Sequence, residues 1–147
     1  MNKPKKQKGI SKYVKLEDYK VFDYEIPEIF LDFVIKKNAV FVTTKLKLVK
    51  KNKNTRNLIL DGTDILIQKI FIDDSLLKEE EDYKQQKNNL KIKNVNKDNF
   101  LLKIEGIIKP KENTSLLGMY ESNGIITTQC EAEGFRRISF HSDRLIF

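Results

Sequence analysis

Histidine occurs once in this chain of 147 residues, at His141. A zinc site of the H-E-x-x-H kind needs two imidazoles on one helical face and a further ligand, so this sequence does not contain one. Cysteine also occurs once, at Cys130. No intramolecular disulfide can form, and an oxidising compartment is not implied. No motif sets a catalytic histidine beside Cys130, which reads as a small buried side chain and not as a nucleophile. Residues 1–16 carry charge without the apolar stretch of a signal peptide. No apolar run approaches the roughly 20 residues that span a bilayer. These features set the expectation of a cytoplasmic protein with no membrane partner. The triplet Asn113-Thr114-Ser115 has the form of a glycosylation acceptor, but without a secretory signal it carries no weight.

Acidic residues are the minority charge: 28 Lys and Arg against 21 Asp and Glu give a net +7. Such an excess ordinarily raises nucleic acid as a partner. Here it is nearly all lysine, accompanies heavy Asn and Ile usage, and clusters in a lead (Lys3, Lys5, Lys6, Lys8) and an Asn-rich loop (Lys50, Lys51, Lys53). A coding bias toward A and T yields that composition without any binding role. Basic single-strand binders interleave aromatics with Lys and Arg on one face. Phe33, Phe41 and Phe100 instead fall at strand positions that suit core packing, so no nucleic-acid partner is expected.

Sustained helical periodicity is missing as well; the pattern along the chain has period two. Residues 1–12 read as a disordered basic lead and residues 13–147 as one domain. Leu31, Phe33 and Ile35 alternate with Asp32, Val34 and Lys36, the pattern of a half-buried strand. A turn at Lys37-Asn38 follows, with Asn tolerating left-handed backbone. On the return strand Val40, Val42, Leu46 and Leu48 face one way and Thr43, Lys45 and Lys47 the other. Leu58–Leu60 meets a turn at Asp61-Gly62; Ile65–Ile72, Leu90–Ile92 and Phe100–Ile104 give further strands. Glu79–Asp82 fits one helical turn or a loop. Asn123-Gly124 is a strong hairpin signal, and its second arm runs straight into Gln129. The pattern implies an all-β protein, an antiparallel β-sandwich or a curved saddle-like sheet. With 39% hydrophobic residues, a chain of this length can bury roughly 68–70% of its unfolded surface.

The densest run of unusual residues is Thr127-Thr-Gln-Cys-Glu-Ala-Glu-Gly-Phe-Arg-Arg137. Within it a carboxylate and an amide two positions apart can both act as hydrogen-bond acceptors. Glu131 supplies the charge and Gln129 the neutral acceptor; if extended, positions i and i+2 leave one face of a strand. The same residues also fit a local ion-pair cluster of Glu131, Glu133, Arg136 and Arg137, worth about 0–1 kcal/mol per exposed pair.

The run resembles the T-Q-C-E-A-E-G-F-R-R stretch of bacterial aminopeptidase N, a zinc-dependent exopeptidase family. The resemblance extends to Asp18-Tyr19, Asp23-Tyr24, Leu60-Asp61-Gly62 with Ile65, Ile67 and Ile72, and Asn113-Thr114 with Gly118 and Tyr120, so that it covers roughly residues 13–144. It implies the N-terminal domain of such an enzyme, with Gln129 and Glu131 binding the peptide N-terminus; Glu133 and the arginines are assigned to loop architecture. It also implies a domain with strands still to come after Phe147, and a catalytic portion elsewhere, for instance on a separately encoded chain. The exopeptidase G-A-M-E-N motif, the zinc helix and the catalytic tyrosine do not occur here. No catalytic residue, metal ligand or cofactor is therefore expected in this chain, zinc being a property of the full-length family. Three functions follow for testing: a catalytically incomplete substrate-recognition domain, a stand-alone binding module, and a basic nucleic-acid binder.

Overall fold

The computed structural model describes residue 17 and residues 19–143. The basic lead, Asp18 and the apolar end Leu145–Phe147 lie outside these residues. The period-two pattern is expressed as ten strands: β1 (Tyr24–Lys36), β2 (Ala39–Lys50), β3 (Leu58–Asp61), β4 (Leu66–Ile72), β5 (Ser75–Leu76), β6 (Tyr83–Gln85), β7 (Asn89–Ile92), β8 (Asn99–Ile108), β9 (Gly118–Ser122) and β10 (Ile125–Gln129). No α-helix occurs among the described residues. Every pairing between these strands is antiparallel. One sheet has the order β1-β2-β8-β4-β5, a second has the order β3-β7-β6, and β9 and β10 form a separate hairpin. The protein is all-β, as its alternation implies.

Register explains why the core lies where it does. β2 and β8 pair Leu46 with Leu102, Thr44 with Ile104 and Leu48 with Phe100, so one face carries a continuous apolar layer. Ile70 of β4 extends it opposite Ile104. The second sheet contributes Leu58 opposite Ile92 and Leu60 opposite Leu90. Both sets belong to one buried cluster, in which Leu46, Leu48, Leu58, Leu60, Leu90 and Leu102 are fully buried. Each such side chain contributes about 1.5–3 kcal/mol relative to exposure.

The chain returns to this core after the hairpin. Asp61 and His141 exchange backbone hydrogen bonds of 2.7 and 3.0 Å, which lays Phe140 over Gly62. A Cβ on Gly62 would sit 2.1 Å from the Phe140 ring. Next to it the Thr44 and Ser139 hydroxyls share a buried hydrogen bond of 2.8 Å, satisfying two polar groups that would otherwise be costly inside.

Several sequence expectations are corrected. β1 lies at the sheet edge, and among the described residues nothing covers either face of its second half, so Phe33 and Ile35 are exposed and Leu31 is only half-buried. Phe41 is exposed too, and only Phe100 of the three phenylalanines packs in the core. The Lys37-Asn38 turn forms, but Asn38 is not among the residues with positive φ. Asp61-Gly62 joins strands of different sheets and makes no hairpin; its glycine is required by the approach of Phe140 and not by a turn. Lys50 ends β2 buried, its Nζ donating to the Val95 carbonyl at 2.7 Å. Of the two alternatives for Glu79–Asp82 the loop is the one found, a turn with Glu80 at φ 65°.

Candidate functional site

Asn123-Gly124 sets the site's geometry. Both residues have positive φ (51° and 80°), the backbone of the tight turns that match strand twist. The ladder then pairs Ile125 with Ser122 and runs to Gln129 opposite Gly118. At the far end Asn113 fixes the approach to β9: its side-chain amide donates to the Leu117 and Met119 carbonyls at 2.7 and 2.9 Å, and its oxygen accepts from the Ser115 amide at 3.0 Å. The Asn113 amide nitrogen is thus committed to backbone.

Gln129 is the last residue of β10, and the chain turns at Glu131. The extended Gln129–Glu131 segment assumed from sequence therefore ends after its first residue. A different contact joins the two: the Gln129 side-chain amide donates to the Glu131 backbone carbonyl at 3.2 Å. That bond holds the amide nitrogen inward and leaves its oxygen as an acceptor. Both residues are exposed. Among the described residues the Glu131 carboxylate has neither a hydrogen-bond nor an ion-pair partner. Cys130 between them is exposed, contrary to the expectation of burial, because alternate residues at the strand end face solvent on both sides.

The turn is closed by Gly134. Its amide donates to the Cys130 carbonyl at 2.9 Å, and a Cβ here would lie 2.1 Å from the Gln129 carbonyl oxygen and 3.0 Å from the Gly118 nitrogen. Two other stretches of backbone, Gln129-Cys130 and Gly118, thus converge on one glycine.

The arginines anchor the loop, as expected for them. Arg136 pairs with Asp143 at 2.6 Å and with Glu133 at 3.3 Å. Burial lowers its pKa, but the hydrogen bond and charge of Asp143, then Glu133 and Asp61, outweigh this and raise it above the ordinary value. Arg137 is ion-paired with Asp64 across the fold. Glu131 takes no part in this network, so only part of the ion-pair alternative describes the run. His141 is half-buried, with its ring edge-on to Phe135 at 5.4 Å and Nδ1 2.7 Å from the Ser142 carbonyl.

A groove of about 580 Å³ lies beside this loop, lined by Asp64, Gln85, Lys87, Glu112, Met119 and Arg137 among others. A shallower depression of about 660 Å³ lies over Phe30, Lys45 and Leu101. Gln129 and Glu131 line neither. Among the described residues no three His, Cys, Asp or Glu side chains converge to hold a metal ion. The described residues therefore do not fit a zinc centre. No helix of the described residues is long and apolar enough to cross a membrane.

Gly134 was not singled out from sequence, and Asn113 and Gly118, named there only within the resemblance, prove to shape the approach to the site. Asn-Thr-Ser before a Gly, and a Gly three residues after Glu131, were the available signals, since such residues serve tight backbone geometry.

Aminopeptidase N of Haemophilus influenzae is 37% identical over 136 residues, covering 91% of this chain and 15% of its own length. Aminopeptidase N of Escherichia coli is 35% identical over 127 residues, covering 86% of this chain and 14% of its own. The chain thus spans about 15% of the length of the curated relatives it matches. Among solved structures, Legionella pneumophila aminopeptidase A in complex with aspartic acid superposes with a TM-score of 0.79 at 32% identity, covering 89% of this chain and 16% of that one. Native yeast LTA4 hydrolase shares the fold, with a TM-score of 0.66 at 22% identity, covering 82% and 21%. Residues 18–144 match the model of the Peptidase M1 N-terminal domain, and the chain belongs to that family.

Proposed function

We propose that this chain is the substrate-recognition domain of a zinc-dependent aminopeptidase, catalytically incomplete on its own, in which Gln129 and Glu131 receive the free N-terminus of a peptide. The observation that carries this reading is the Glu131 carboxylate, exposed and without a partner among the described residues, beside a glutamine whose amide nitrogen is already bonded. One anionic and one neutral acceptor complement an ammonium. The Legionella relative was solved with aspartic acid, a ligand that carries a free α-amino group. Hydrolysis of N-terminal residues would then fall to a catalytic portion outside these 147 residues, for instance a separately encoded chain. The proposed setting is cytoplasmic, without nucleic-acid or membrane partners.

The test is reconstitution with the remainder of an M1 aminopeptidase. Hydrogen bonds to charged groups contribute about 1.5–3 kcal/mol, so Glu131→Gln should lower kcat/KM for an aminoacyl amide by about 10- to 100-fold. An unchanged kcat/KM would remove Glu131 from the clamp. The 147-residue chain with added zinc should not cleave the same amide; measurable zinc-dependent turnover would end the claim of incompleteness.

A second reading, a β-domain binding module without peptidase activity, is favoured by the uncovered apolar face of β1. It predicts no gain of activity on reconstitution.

A further inference from the structure

The two outer strands of the five-stranded sheet differ sharply. β5 is two residues long, whereas β1 has thirteen. Sheet edges are usually blunted by shortness, charge, proline or bulges, because an open edge templates pairing with another chain. β1 is protected near its start, where Pro27 sits within a register shift between Glu25 and Glu28, and beyond that within the apolar run only by the charge of Asp32. From Glu28 to Lys36 it pairs residue for residue with β2 on one side, and among the described residues no strand pairs with its other side. Ile29, Phe30, Phe33, Val34 and Ile35 are exposed, Phe30 by 57% and Ile35 by 60%. Asp32 is the sole charge inside that run.

We propose that this edge binds a second copy of the chain, β1 against β1 in antiparallel pairing about a two-fold axis at Asp32. An axis at any residue of the run opposes residues of equal parity, so the face of Ile29, Leu31, Phe33 and Ile35 stays with its counterpart. The axis at Asp32 sets Glu28 opposite Lys36 of the second copy, twice by symmetry, with Phe30 opposite Val34, Leu31 opposite Phe33 and Ile29 opposite Ile35. Moving the axis to residue 31 or 33 loses both Glu28–Lys36 pairs. Charge complementarity therefore selects the register, and closure by the two-fold limits the assembly to a dimer. Its cost is Asp32 facing Asp32, since like charges directly opposite destabilise a sheet. The dimer is accordingly weak and concentration-dependent, with one ten-stranded sheet continuing across the contact.

Sedimentation velocity on the 147-residue chain, over a wide concentration range at low salt, tests this. A monomer–dimer equilibrium is expected. Glu28→Lys opposes two lysines twice and should abolish the dimer, while Glu28→Lys with Lys36→Glu should restore it. Asp32→Asn should lower the dissociation constant by roughly threefold, a gain that a misfolded variant does not produce. A chain monomeric throughout, growth beyond a dimer, a dimer indifferent to Glu28→Lys, or one not restored by the charge swap overturns the proposal.

Discussion

Replacing Gly134 by alanine separates two opposed effects at the centre of the candidate site. Gly134 has φ −73° and ψ −28°, a conformation any residue adopts. Loss of unfolded-state freedom alone would make Gly134→Ala stabilising by about 0.4–1 kcal/mol. Sterics oppose this, because the new Cβ would lie 2.1 Å from the Gln129 carbonyl oxygen and 2.8 Å from the Cys130 Cα. Both neighbours are backbone, so no side chain can swing aside. If the loop holds, overpacking costs about 1–3 kcal/mol. If it opens, it loses the Gly134 amide bond to the Cys130 carbonyl and the Arg137 amide bond to the Gly134 carbonyl, at about 1 kcal/mol each. Set against that gain, either route leaves a net loss of about 1–1.5 kcal/mol, or about 4–5 °C in Tm for a chain of this size. Thermal unfolding followed by circular dichroism measures it. Gly124→Ala is the control for backbone strain without crowding: its φ is +80°, a Cβ meets nothing within 4 Å, and left-handed backbone costs an L-residue about 1–2 kcal/mol. In a reconstituted enzyme Gly134→Ala should also lower kcat/KM more than Gly124→Ala, because it displaces the carbonyl of Gln129. A Gly134→Ala protein as stable as the parent, or one whose kcat/KM falls no further than that of Gly124→Ala, would refute the packing argument.

Gly62→Ala should be similarly costly, because Phe140 is fully buried and its ring occupies the Cβ position. Phe140→Leu should relieve part of that cost, so in urea unfolding the double variant should lose at least about 1 kcal/mol less than the sum of the singles; strict additivity would dissociate the two residues. The Tyr24 phenol is pushed up to about 12, by burial first and then by Asp23. Its folded pKa exceeds the unfolded value near 10, so its contribution is complete below pH 10 and is lost as pH rises toward 12. Two units correspond to about 2.7 kcal/mol. The hydroxyl reaches only a part-buried carbonyl at 3.5 Å, and solvent screening reduces the expected fall to about 1–2 kcal/mol. Urea unfolding across this window should show the fall in the parent and a smaller one in Tyr24→Phe, the remainder coming from Tyr83, which burial and then Glu79 also raise. Equal slopes would rule out Tyr24 as the source.

What was legible in the sequence follows from what is local. The alternation of Val40, Val42, Leu46 and Leu48 fixes their common face whatever strand lies beside β2, and the positive-φ turn at Asn123-Gly124 is set by two residues. Burial of β1 was not legible, since Leu31, Phe33 and Ile35 carry the same pattern as a covered strand and only the sheet order makes β1 an edge. The role of Gly62 was misassigned for a related reason: its constraint comes from Phe140, 78 positions away in a segment that bridges Asp61 to His141. At the site, the resemblance named Gln129 and Glu131, but no local pattern reveals that β10 stops at Gln129 or that Gly134 folds back onto its carbonyl.

The exposure of Glu131 bears on how the proposed clamp would work. A carboxylate and an ammonium 4 Å apart gain about 1 kcal/mol in bulk water and about 4 kcal/mol at an effective dielectric near 20. As described, Glu131 is on the water side of that range, outside both grooves. On this chain alone an amine would bind with a gain no larger than that of an ordinary surface ion pair, about 0–1 kcal/mol. The missing 3 kcal/mol, on the order of 100-fold in affinity, must come from a second wall that excludes water without neutralising Glu131. The present chain contributes preorganisation: the Gln129 amide tied to the Glu131 carbonyl, the turn closed by Gly134, and Arg136 and Arg137 committed to Asp143, Glu133 and Asp64. Keeping both arginines engaged elsewhere leaves the Glu131 charge available. A recognition half built this way gains strength only when the catalytic half covers it, so amine binding and assembly of the complete site are predicted to be coupled.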